Sequence, residues 1–176
     1  MNKEEIKNKL KEHHENFIAT IDSLSESDFM FTAPEKWNAG QQLDHIYRST
    51  ATLLLAMRIP KPAMKIIVGK ANRESRTYEG LVEKYSQKLS GGAKAQGRFI
   101  PSTIQFEQKN KWIEKLRRVI EKLSKQIDQY SEQDLDEYIL PHPLLGKLTI
   151  REMMYFTIYH VQHHQRLIAK NLQKVV

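Results

Sequence analysis

The stretch TIREMMYFTIYHVQHHQRLIAKNL, residues 149–172, decides the fold. Met153, Phe156, Thr157, His160, His164 and Leu167 fall on one stripe of a helix, and Ile150, Met154, Ile158, Val161 and Ile168 widen it. Thr149 and Glu152 form a capping-box pair that starts the helix. Glu152, Tyr159, His163, Arg166 and Lys170 share the opposite side, so His163 is expected to face solvent and is excluded as a ligand. His160 and His164 are four residues apart, hence about 40° apart in direction and one turn apart in height. Two imidazoles at that spacing can share one metal ion, at about 2.0–2.1 Å each for zinc.

Working outward, the same period recurs. Residues 2–24 place Ile6, Leu10, Phe17, Ile21 and Leu24 on one stripe. Asn38 with Gln41 caps a second long helix that runs to about Arg58 and stops before Pro60 and Pro62. Ser102 with Gln105 repeats the capping signal and predicts a third long helix over 103–129, with Ile113, Leu116, Ile120, Leu123 and Ile127 on one face. Short helical turns are expected near residues 25–31 and 131–138. Residues 60–102 form a long connection in which residues 77–89 can be helical, and residues 140–148 read as a loop. No strand and no repeat is evident. The expectation is an all-α, single-domain four-helix bundle over residues 1–176, with a long connection between helices 2 and 3 that lets those two run parallel.

His45 joins Gln41, Gln42, Ser49, Thr52 and Leu53 on the inner face of the second helix. A bundle core tolerates such polar groups only with partners, since an unpaired buried one costs about 1–3 kcal/mol. A lined cavity holding His45, His160 and His164 around a divalent ion resolves the conflict. Any single histidine is more simply a hydrogen-bonded core residue, but an i,i+4 pair with a third from another helix favours ligation. His13 and His14 lie near the apolar stripe of the first helix. They are expected at the core edge or surface, with one of them in reach as a fourth ligand or proton carrier. His142, between Pro141 and Pro143, either lines the mouth of the site or fixes its loop. Trp37 is placed as a hydrophobic staple or as a lid on the bundle end.

The bulk numbers exclude more than they assign. With 40% hydrophobic residues the 176-residue chain can build its own core. No apolar run approaches the roughly 18 residues of a membrane span. The polar N-terminus does not read as a secretory signal, and a cytoplasmic protein is expected. There is no cysteine, hence no thiolate ligand or nucleophile of its own. The charge of +7 is concentrated in residues 58–76 and 88–98. It attracts anions, or simply solvates the surface. No nucleic-acid-binding signature accompanies it.

Residues 36–46, KWNAGQQLDHI, and 160–168, HVQHHQRLI, resemble the opening and closing histidine motifs of the DinB/YfiT-like superfamily. Residues 142–152, HPLLGKLTIRE, resemble the loop and cap that precede the last helix in its DinB-like subgroup. The resemblance implies an up-down-down-up four-helix bundle. It implies a divalent metal, commonly nickel or zinc, on His45, His160 and His164. It also implies an enzyme that transfers a low-molecular-weight thiol to an electrophile, with metal-dependent hydrolysis as the alternative chemistry and a non-catalytic ligand-binding or interaction bundle as the alternative role. A homodimer acting on a small-molecule substrate is the usual form. One departure stands out: relatives often carry Gln three residues after the final histidine, whereas here Gln165 follows it directly.

Overall fold

Four helices carry most of the length, and three of them begin at side-chain caps that the sequence supplies. A computed structural model of the chain describes residues 1–173. Its helices are α1 (Lys3–Asp22), α2 (Glu26–Met30), α3 (Ala39–Met57), α4 (Lys61–Ile67), α5 (Tyr78–Ser90), α6 (Lys109–Ile127), α7 (Glu132–Glu137) and α8 (Ile150–Gln173). Two strands, β1 (Ile139–His142) and β2 (Gly146–Thr149), and two 3₁₀ turns, Gly97–Phe99 and Phe106–Gln108, complete the described elements. Capping boxes close at Asn2 with Glu5 and at Asn38 with Gln41. At α8 the Thr149 N–H donates to Glu152 Oε2 at 3.0 Å and the Glu152 N–H donates to Thr149 Oγ1 at 3.2 Å.

The expected cap at Ser102 does not form, and α6 starts later, after a 3₁₀ turn at Phe106–Gln108. Asp44 has taken Ser102 instead: its Oδ2 accepts the Ser102 N–H at 2.6 Å, while Arg48 donates to Ser102 Oγ at 3.0 Å. The expected loop at 140–148 is also corrected. It is an antiparallel β-hairpin pairing Ile139 with Thr149 and His142 with Gly146, whose φ of 76° turns the chain. Buried Leu140, Leu145 and Leu148 anchor this hairpin. The protein is therefore mostly helical with one small sheet, not helical throughout.

The four long helices pack in a ring, α1 against α6 and α8, and α3 against the same two. Along α1 and α8 the numbers rise together: Met1 meets Tyr155, His13 meets Gln162 and Thr20 meets Gln165. Along α1 and α6 they run opposite, with Lys7 on Asp128 and Lys109 on the Asp22 carbonyl. Tyr47 lies on Trp112 and Gln126 reaches the Met57 carbonyl, so α3 and α6 rise together. Ile6, Leu10, Phe17 and Ile21 of α1 are buried with Leu43 and Ile46 of α3, the apolar face of α6, and Met154, Ile158 and Val161 of α8. Leu24, at the end of the expected α1 stripe, is only partly buried.

Glu152, fully buried at the start of α8, receives Arg73 through both carboxylate oxygens at 2.7 and 2.8 Å, and Arg76 at 3.0 Å. Lys61 pairs with Asp134 and Lys70 with Glu137. Lys61, Lys70, Arg73 and Arg76 of the connection are thus paired with the chain's own carboxylates. Among the described residues no helix is long and apolar enough to cross a membrane.

Candidate metal centre

α3 and α8 cross where both turn polar side chains inward. There His45, His160 and His164 converge, each about 95% buried. His45 Nε2 lies 3.1 Å from His160 Nε2, and His164 Nε2 lies 3.0 Å from it. For tetrahedral ligation at about 2.0–2.1 Å, neighbouring nitrogens stand about 3.3 Å apart. The spacing therefore suits one small ion. Each residue offers one ring nitrogen, and these lie within 4.8 Å of one another.

The outer nitrogens fix the tautomers. His45 Nδ1–H donates to the Phe99 carbonyl at 2.7 Å. His164 Nδ1–H donates to Gln42 Oε1. Both Nε2 atoms consequently carry lone pairs. His160 Nε2 faces both of them, and with one hydrogen it can donate to only one. A cation at the common point satisfies all three lone pairs, so the donor set fits a divalent metal. Burial, followed by the charge on neighbouring histidines, holds His160 and His164 well below the usual imidazole range, and burial lowers His45. All three are neutral at pH 7, as metal ligation needs.

The support is built into α3. Asp44 holds Ser102 while the next residue, His45, holds Phe99, so two successive residues fasten the same passing segment. Asp44 Oδ1 has no partner among the described residues. On the other side Phe156 stacks on His160, with ring centres 4.6 Å apart and planes 25° apart. Trp37, in the turn before α3, stacks on His164 at 6.2 Å and 11° and leans on His45 at 5.0 Å. It is half-buried over the imidazoles, which is the lid position and not a staple in the core.

The three histidines line a cavity of about 860 Å³. His14 and His142 line it too, and neither belongs to the three-histidine group. His14 is buried and donates Nδ1–H to the Leu10 carbonyl at 2.7 Å, and burial lowers its pKa to about 4. His13 lies elsewhere, against Gln162. His163 departs from its expected solvent position. It is half-buried on the cavity wall, stacked on Tyr159 and edge-on to Tyr85 of α5. It supplies no atom to the histidine group. Gln165 turns to α1 and donates to Thr20 Oγ1 at 2.9 Å. The glutamine at the site is Gln42, which the sequence placed beside His45 without a role. The Phe99 carbonyl had no local signal at all.

Fold and site together define a class: helical proteins that gather three histidines from two helices around one candidate metal position. The model of the DinB superfamily matches residues 9–168, and the chain belongs to that superfamily. A crystal structure of an uncharacterized protein from Clostridium difficile 630 is similar in fold, with a TM-score of 0.60 at 17% identity, covering 100% of this chain and 98% of that one. No curated protein matches the chain.

Proposed function

We propose that this protein is a metal-dependent enzyme in which His45, His160 and His164 hold one zinc or nickel ion and a low-molecular-weight thiol is transferred to an electrophile. The observation that carries this reading is the convergence of three neutral Nε2 atoms at the wall of a large cavity. A packed, closed core there would favour a binding scaffold instead. When bound, the ion would supply Lewis-acid activation of a thiol or water, lowering its pKa. The chain's own residues do the rest. Gln42 and the Phe99 carbonyl orient two ligand rings, while Trp37 and Phe156 shield the centre from water. Because the chain has no cysteine, the sulfur arrives on the cosubstrate. The helix pairings support an up-down-down-up four-helix bundle as the frame, folded as one domain.

The test is metal analysis of protein purified without a histidine tag, then conjugation of small thiols to model electrophiles. Metal bound at one equivalent, with thiol-dependent turnover lost on chelation, is the expected result. Turnover with water alone assigns hydrolysis. Protein that stays metal-free in excess zinc and nickel overturns the reading.

A further inference from the structure

His142 lines the cavity and carries a fixed hydrogen-bond donor that the three-histidine centre does not use. His142 sits at the end of β1, and its Nδ1 accepts the N–H groups of Leu144 and Leu145, both at 3.1 Å. An imidazole nitrogen that accepts has no hydrogen, so the neutral ring carries its proton on Nε2. That Nε2 has no partner among the described residues, and it is not among the polar atoms sealed from solvent. It is therefore accessible, on a residue that lines the cavity. The Phe156 ring packs against both His142 and His160, with ring centres 4.3 and 4.6 Å away.

The surrounding wall is apolar, with Leu53, Leu140, Met153 and Phe156 among its residues. At about 860 Å³ the cavity is of the size that accepts a drug-sized molecule. Charge at the cavity is biased: Lys36, Lys94 and Lys170 line it against the single carboxylate of Glu35. Burial, and after it the Lys84 ammonium held on the Leu145 carbonyl at 2.9 Å, disfavours a positive charge on His142. The excess of positive charge around the cavity favours an anionic ligand.

We propose that the cavity takes a hydrophobic molecule ending in a carboxylate, and that His142 positions it by donating Nε2–H to a carboxylate oxygen. This rests on the reading of the cavity as the substrate site, and it names the electrophile's class as an apolar acid. His142 is a positioning residue here, neither a ligand nor a base.

The test uses chelator-treated full-length protein, so that it does not depend on metal. Decanoate and acetate are titrated calorimetrically into wild type and into His142→Asn. Asparagine keeps an acceptor where Nδ1 stands, so the turn survives, but it has no counterpart of Nε2–H. The expected result is saturable binding of decanoate and none of acetate. His142→Asn is expected to weaken decanoate about tenfold or more, with an unchanged circular dichroism spectrum and melting temperature. Zinc uptake by the variant is measured in parallel and is expected to match wild type, which separates this proposal from that of the metal centre. Absence of decanoate binding, or equal binding by both proteins, overturns it. If His142→Asn unfolds, His142→Gln, which offers both an acceptor and a donor, replaces it. Decanoate binding to that variant as weak as to a His142→Phe control then also overturns it.

Discussion

Replacing Gln42 by Leu tests the orientation of the candidate ligands without touching one. His45 is oriented by a backbone carbonyl, which no substitution removes, whereas His164 depends on the side-chain Oε1 of Gln42. Leucine roughly preserves the volume in a site where Gln42 is 2% exposed. Two effects follow. Without metal, the His164 Nδ1–H is buried with no acceptor, at a cost of about 1–3 kcal/mol. With metal, the ring is free to rotate or to move its proton to the ligating nitrogen. Loss of such an outer partner costs about 10–100-fold in metal affinity, or roughly 1.4–2.7 kcal/mol. Competition titration of zinc against a chromogenic chelator reads the second effect, and thermal melts of the chelated protein read the first. Gln165→Leu is the control, because that side chain is turned to α1. Gln42→Leu binding zinc as tightly as wild type would refute the reasoning. So would an equal loss in Gln165→Leu.

Other outcomes follow from the same geometry. His160→Ala or His164→Ala is expected to abolish stoichiometric zinc binding, while His163→Ala retains it, as read by metal content after gel filtration. Gly40→Ala would place a Cβ 2.9 Å from Phe29 and 3.0 Å from the Ile104 carbonyl. Overpacking of about 1–3 kcal/mol outweighs the gain of about 1 kcal/mol in helix preference, so the melting temperature falls. A rise would contradict that packing. His14 titrates at about 4 when folded against 6.5 ordinarily, so the unfolded chain takes its proton first as pH falls. The stability due to neutral His14 is whole above pH 6.5 and is lost progressively down to about pH 4, up to about 3 kcal/mol. Urea unfolding of chelated protein against pH checks this, and His14→Leu should flatten the slope. An identical slope in that variant would count against it.

What could be read from the sequence was whatever is encoded locally. The α8 stripe and the Asn38 and Thr149 caps are short-range patterns, and they placed His45, His160 and His164 on inward faces. The hairpin was hidden because Pro141 and Pro143 argue against a strand, yet a short edge pairing tolerates Pro141. α4 was hidden because Pro60 and Pro62 read as a stop. Pro62 lies in its first turn, where a missing N–H costs little. His163 was misplaced because a helical wheel knows only its own helix. The flank of α8 that it occupies is covered by Tyr85 from α5, which no period in residues 149–172 announces. The Phe99 carbonyl lies 54 residues from His45, so only tertiary folding reveals it.

The energetics of the histidine cluster bear on so polar a crossing in an otherwise mostly apolar helical core. With His45 and His164 protonated on Nδ1, three buried Nε2 atoms share at most one hydrogen, and one lone pair stays unmatched. That deficit is about 1–3 kcal/mol, a sizeable part of the 5–15 kcal/mol that holds a typical domain folded. Apolar residues at these positions would pack the core without it. Four further groups, Gln42, Asp44, the Phe99 carbonyl and Trp37, hold the arrangement in place. Asp44 does so with one carboxylate oxygen unpaired among the described residues. A cation at the proposed site would remove that deficit on binding. Metal-induced stabilisation in wild type, absent in His160→Ala, is therefore the thermodynamic counterpart of the geometry.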